Sequence, residues 1–185
     1  MKQSLSLLLI FVLTLNAFAG DHYDIKTARA DKSKSFISYH MVHPMHSWDG
    51  VNKDFDGIIQ YDDKTNLITK VAIVAKVSAF DSKSSNRDSH MMEVTEAIKY
   101  PTVSFVSSSV KDNGNSVDVT GTITFHGVSK QITFTAKEES SAKQKIVSGD
   151  FVLLIEDFKI ERPSMMMMKT ENEMKMSFSV EFPLN

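Results

Sequence analysis

Three of the six histidines and the only tryptophan fall between positions 40 and 48: His40, His43, His46 and Trp48, with Met41 and Met45 among them. Imidazole suits zinc and copper, and thioether suits Cu(I). The cluster can therefore be a metal site, a proton-handling site or the mouth of an apolar cavity. A second group, His90-Met91-Met92, has the same composition. Strand parity limits the metal reading, because His40 and His43 on one strand point to opposite faces. His43 and His46 can meet only if Pro44 turns the chain, so the metal alternative rests on His43, His46 and His90, in a copper-handling role. No His-Glu-x-x-His motif is present. Asp81, Asp88, Glu156 and Asp157 have no spacing that implies a general acid/base pair. Ser107 to Ser109 lack the turn context of a catalytic nucleophile. With no cysteine, thiol chemistry is excluded. The expectation is a protein that binds rather than catalyses.

Eleven methionines are the compositional oddity, concentrated at 41–45, 91–92, 165–168 and 174–176. Methionine is flexible and polarisable and lines adaptable apolar surfaces, which suits a rim on a lipid cavity. The alternative is core filling for Met174 and Met176, and an ordinary loop for Met165 to Met168.

The elements that must position these residues begin after a leader. Lys2, the apolar run Leu5 to Leu15 and the small-x-small site Ala17-Phe-Ala19 read as a signal peptide over residues 1–19. That places the mature chain, 20–185, in the periplasm as one domain. No apolar run approaches the roughly 20 residues of a membrane span; transient membrane contact and a homodimer stay open. Removing the leader's one lysine takes the formal charge from −2 to −3, and the three arginines (Arg29, Arg87, Arg162) are scattered. A nucleic-acid surface needs clustered basic residues, so none is expected.

Period-two alternation dominates the rest. Ile37, Tyr39, Met41 and His43 share one parity, as do Phe55, Gly57, Ile59 and Tyr61. Val117, Val119, Ile123 and Phe125 oppose Asp118 and three threonines; Met174, Met176, Phe178, Val180 and Phe182 oppose Lys175 and Ser177. Short Asx- and Gly-containing turns join these runs, implying neighbouring antiparallel strands. A sheet of that size tends to close on itself. The expectation is an all-β, antiparallel eight-stranded barrel. A short helix is inserted at 88–99, where Met91, Val94 and Ile98 recur at helical spacing after a cap at Asp88 or Ser89, and Pro101 stops it. His126, before Gly127, reads as a hairpin-turn residue.

The ordered motifs then resemble a known family. They are Ile37-x-Tyr39-x-Met41-x-His43, Phe55-Asp-Gly57-x-Ile59, Asp88-x-x-Met91-x-x-Val94, Lys99-Tyr-Pro-Thr-Val-Ser-Phe105-x-Ser107 and Val119-Thr-Gly-Thr-Ile-Thr-Phe-His-Gly-Val-Ser-Lys130. Together they are similar to the YceI-like family of polyisoprenoid-binding, periplasmic proteins. The resemblance implies a lipocalin-like barrel enclosing an isoprenoid, quinone, fatty amide or other amphiphilic lipid, with no separate cofactor. Tyr39, Met41, His43, Trp48, Phe55, Ile73, Met91, Phe105, Phe125 and Met176 are then the expected ligand-binding residues. His43 would either meet the polar end of the ligand or bond to neighbouring backbone, as buried polar groups must. Pro44-Met-His-Ser-Trp48 and Met165 to Met168 depart from the family pattern.

Overall fold

The computed structural model describes residues 24–184; the expected leader, 1–19, lies outside them. Twelve strands form, in chain order: β1 (Ile25–Arg29), β2 (Phe36–His43), β3 (His46–Asn52), β4 (Phe55–Asp62), β5 (Ile68–Lys76), β6 (Thr102–Asp112), β7 (Ser116–Phe125), β8 (Val128–Ser140), β9 (Gln144–Leu154), β10 (Ser164–Met165), β11 (Met168–Lys169) and β12 (Glu173–Pro183). Helix α1 (Ser85–Val94) separates β5 from β6. Ten strands make one antiparallel sheet in the order β1-β4-β5-β6-β7-β8-β9-β12-β2-β3, and β10 and β11 form a separate hairpin.

The sheet curls until its ends meet, but single contacts rather than a ladder join them. Val51 of β3 and Asp81, beyond β5, exchange both backbone bonds at 3.0 Å, and the Asp31 N–H reaches the Glu181 carbonyl of β12 at 2.8 Å. β8 and β9 pair only where Lys137 to Ser140 oppose Ser148 to Lys145. Beyond that, Phe134 stacks on Phe151 at 5.0 Å between ring centroids. The antiparallel, lipocalin-like curl is as expected, with apolar side chains inside and threonines, lysines and serines outside.

The expected eight strands are ten in the sheet because two runs read as continuous are broken. Pro44 and Met45 form a two-residue turn, so the His/Trp cluster folds back as β3 with His43 opposite His46. Lys53-Asp54 then separates β3 from β4, and Ile25 to Arg29 adds an edge strand on β4.

The helix also differs from its expected span. It starts at Ser85 and ends at Val94, with Ser84 at its N-cap. Asp88 is not the cap; it accepts from the Ser82 hydroxyl at 2.6 Å and the Ser82 N–H at 3.0 Å, closing the loop before the helix. Thr95 ends the helix by returning its hydroxyl to the Met91 carbonyl at 2.6 Å, one of the backbone competitions that make threonine a poor helix continuer. Ile98 falls off the stripe and is fully exposed.

Candidate ligand cavity

The inward faces leave a cavity of about 490 Å³, within the roughly 300–1,000 Å³ of sites that take small organic ligands. Interiors are normally close-packed, so a void of this size is a feature of the fold and not a local packing fault. Every strand of the large sheet except β1 and β8's outer residues sends side chains towards it by simple alternation. Tyr39, Met41, His43, Trp48, Ile73, Met91, Phe105, Phe125 and Met176 all line it. Phe55 does not: it is buried against the rest of the core and absent from the lining. It shares the inward parity, but β4 meets the cavity through Ile59, two pleat repeats further along.

Glycines set how the aromatic lining lies. Gly50 of β3 stands opposite Tyr39 of β2, and a Cβ there would lie 2.2 Å from Tyr39 Cε1. The missing side chain lets the Tyr39 ring lie flat over the neighbouring strand. Trp48 donates its indole N–H to the Tyr39 hydroxyl, while burial, the larger effect, pushes the Tyr39 phenol above its ordinary pKa.

His43 is almost fully buried, and both ring nitrogens are used. Its Nε2–H donates to the Met168 carbonyl at 3.0 Å, and Nδ1 accepts from the Met45 N–H at 3.2 Å. That fixes a neutral tautomer with no free lone pair. His43 therefore clamps the β10–β11 hairpin onto the β2–β3 turn. Of the two roles open to it in the sequence, this geometry favours the bond to backbone over contact with a ligand. It also weakens the metal alternative. The Pro44 turn does bring His43 and His46 together, with ring centroids 5.3 Å apart, and the His46 ring lies tilted against Trp48 at 5.3 Å. His90 lines the same cavity. Yet no three His, Asp or Glu side chains gather at ion-binding distances among the described residues. His40, on the opposite face, pairs with Asp49 at 2.8 Å outside the barrel.

His126 sits in the β7–β8 turn with φ +50°, as its position before Gly127 suggested. Its Nδ1 donates to the Phe158 carbonyl at 2.9 Å and its Nε2 meets Glu96 at 2.9 Å, tying the segment after α1 to the turn after β9.

The mouth was only partly legible. Asn86, Arg87 and His90 of α1 line it together with His46. Arg87 lies one helical turn before Met91 on α1, but spacing alone does not distinguish it from a solvated arginine. Phe80, Ile155 and Ile160 line the cavity from 3-10 turns or loops without periodicity, and no pattern marks them.

A curled antiparallel barrel around a large apolar cavity, polar only at its mouth, defines a β-barrel binding protein. The chain belongs to the YceI-like family: the YceI-like domain matches residues 29–182. Protein YceI of Escherichia coli O157:H7 is 33% identical over 140 residues, covering 74% of this chain and 73% of that protein. Among solved structures, Burkholderia cenocepacia BcnA superposes with a TM-score of 0.73 at 19% identity, covering 82% of this chain and 98% of that one. A polyisoprenoid binding domain from Saccharophagus degradans, implicated in plant cell wall breakdown, superposes with a TM-score of 0.70 at 13% identity, covering 86% and 98%. At these identities the two structures speak for the fold.

Proposed function

We propose that this protein is a periplasmic carrier that encloses the long apolar chain of an amphiphilic lipid, such as an isoprenoid, a quinone or a fatty amide. The observation that carries the reading is the cavity of about 490 Å³ with its aliphatic, aromatic and methionine walls. Burying a chain of about fifteen to twenty carbons there gains on the order of 10 kcal/mol gross, at about 0.8 kcal/mol per methylene, less the cost of ordering the chain. Apolar burial thus supplies affinity without specific polar contacts. The polyisoprenoid-binding name of the Saccharophagus structure points the same way, and the leader-like residues 1–19 support export. The role is binding rather than catalysis, and the lipid is cargo, with no resident cofactor.

Cargo must also enter and leave. Met166 and Met167 project from the tip of the β10–β11 hairpin, 73% and 101% exposed, next to Met165 on the cavity lining. This apolar tip is the surface that would touch a bilayer transiently during exchange. Native mass spectrometry of protein purified without detergent tests the carrier reading. A co-purified lipid, or uptake of an added isoprenoid, is expected; a ligand-free protein that takes up no isoprenoid, quinone or fatty amide overturns it.

A further inference from the structure

The cavity lining contains one permanently charged side chain, Arg87, and no aspartate, glutamate or lysine. Its position is at the polar end, on α1 beside Asn86 and His90 and across from His46 and Trp48. Arg87 is half-buried, and partial loss of water around a guanidinium is ordinarily offset by pairing. Yet no carboxylate lies within ion-pair distance of Arg87 among the described residues. Its polar and ring contacts are one donation from Nη1 to the Ser82 carbonyl at 3.1 Å and the placement of its Cζ over the Trp48 ring, 5.1 Å from the centroid. A guanidinium has five N–H donors in a fixed fork, so donors remain for a ligand.

The nearby acids are already engaged. Asp88 accepts from Ser82, Asp49 pairs with His40, and Glu93 lies 3.6 Å from His90 on the outer side of the helix. None of the three lines the cavity. The Trp48 contact holds the guanidinium at the mouth, and only one N–H of its edge is engaged by the protein. The edge is the part that grips an oxyanion in a bidentate fashion.

We infer that the cargo is an acidic amphiphile, with Arg87 binding its carboxylate or phosphate head while the chain fills the barrel. This rests on the carrier reading and narrows it to a ligand class. The apolar interior selects for chain, and Arg87 at the rim selects for charge and sets which end enters first.

The test compares matched pairs that share a chain: geranylgeranyl phosphate with geranylgeraniol, and palmitate with hexadecanol. Affinity is read by displacement of the neutral dye N-phenyl-1-naphthylamine from delipidated protein. At least one acid should bind about tenfold or more tightly than its alcohol, the scale of a hydrogen bond to a charged group, and whichever pair shows the larger ratio identifies carboxylate or phosphate. R87Q should bring that acid down to its alcohol's affinity and leave the alcohol within about twofold; R87K should keep part of the preference. Equal binding of acids and alcohols by the native protein overturns the inference and leaves the carrier reading standing. Equal weakening of both by R87Q assigns Arg87 a packing role and overturns it as well. If none of the four compounds displaces the dye, the inference is overturned, while the carrier reading is decided separately by the native mass spectrometry with quinone and fatty amide.

Discussion

Replacing Gly50 with alanine should convert stability into lost cavity, and the comparison with Gly121 shows why. At Gly50 a Cβ would meet Tyr39 Cε1 at 2.2 Å, Cζ at 2.4 Å and the hydroxyl at 2.7 Å. Every obstructing atom belongs to one side chain, and that side chain borders an open cavity. The ring can swing inwards. At Gly121 a Cβ would lie 2.5 Å from Phe105 Cζ and also 2.5 Å from the Val106 carbonyl oxygen. That carbonyl belongs to β6, laddered to β7, and it cannot move without breaking the sheet. Overpacking a well-ordered interior costs about 1–3 kcal/mol. G50A should fall near the lower end, about 1 kcal/mol, and G121A near the upper, about 3 kcal/mol. Thermal unfolding should then shift by about 2–4 °C and about 6–12 °C respectively, at roughly 2–4 °C per kcal/mol for a chain of this size. Ligand affinity should show a further difference. The displaced Tyr39 ring occupies the cavity in G50A, so binding of N-phenyl-1-naphthylamine should weaken about tenfold, as about 1.4 kcal/mol implies. Loss of the Tyr39–Trp48 bond should change the emission of the only tryptophan. Tyr39→Leu in the same chain should restore the stability lost in G50A, with a coupling of about 1 kcal/mol. If G50A destabilises as much as G121A and leaves dye binding unchanged, the ring does not move into the cavity and the reasoning fails.

The remaining expectations concern the ends of the barrel. Lys145 is fully buried, with Nζ bonded to the Asn66 carbonyl at 2.5 Å, Ser140 Oγ at 2.7 Å and Glu138 at 2.8 Å; K145M should cost about 3–5 kcal/mol in guanidinium unfolding, and adding E138L should recover most of it. Met166 and Met167 both hold left-handed backbone, φ +51° and +63°, where a two-residue hairpin favours Asn-Gly. M166N with M167G should raise stability by about 1 kcal/mol or more, while reducing co-sedimentation with phospholipid vesicles. The Thr65 N–H first, then those of neighbouring groups, hold the Asp62 carboxyl below its ordinary pKa. The stability it contributes is therefore present above about pH 4 and lost as pH falls through the folded value. Asp62→Asn should flatten the acid side of the stability profile and leave the neutral region parallel to that of the native protein.

How much of this was legible in the sequence follows from which residues obey a period. β12 could be read directly, because Met174, Met176, Phe178, Val180 and Phe182 alternate with polar residues and all line the cavity. Strand parity also separated His40 from His43 correctly. The turn at Pro44 was conditional in the sequence, since a proline fixes its own φ but not the direction of the chain after it. With that turn unplaced, the strand count and the position of Trp48 could not be settled. Asp88 looked like a helix cap because its residue type is right for one; the competing bond to Ser82 is local geometry that composition does not reveal. Arg87 was invisible as a site residue for a related reason. A lone arginine on a short helix is ordinarily solvated, and only the cavity behind it gives it meaning.

The chain direction divides the molecule into two ends with different duties. In an antiparallel sheet successive turns alternate between ends. The turns after β4, β6 and β8 thus gather at one end, and those after β2, β5, β7 and β9 at the other. At the first end stands the Lys145 network, which joins the turns after β4 and β8 through fully satisfied hydrogen bonds. At the second stand α1, the Pro44 turn and the methionine hairpin, with Arg87, His46 and Trp48 at the cavity mouth. The buried charge at the first end, Lys145, is paired, whereas the half-buried Arg87 at the second has no carboxylate partner among the described residues. A barrel with a large internal void has to be stabilised somewhere other than its middle, and a sealed polar plug at one end does this without narrowing the cavity. K145M should therefore lower stability and leave the acid-over-alcohol preference intact, whereas R87Q should remove the preference with little effect on unfolding. Loss of the preference in folded K145M would mean that the two ends are coupled through the wall, contrary to this division.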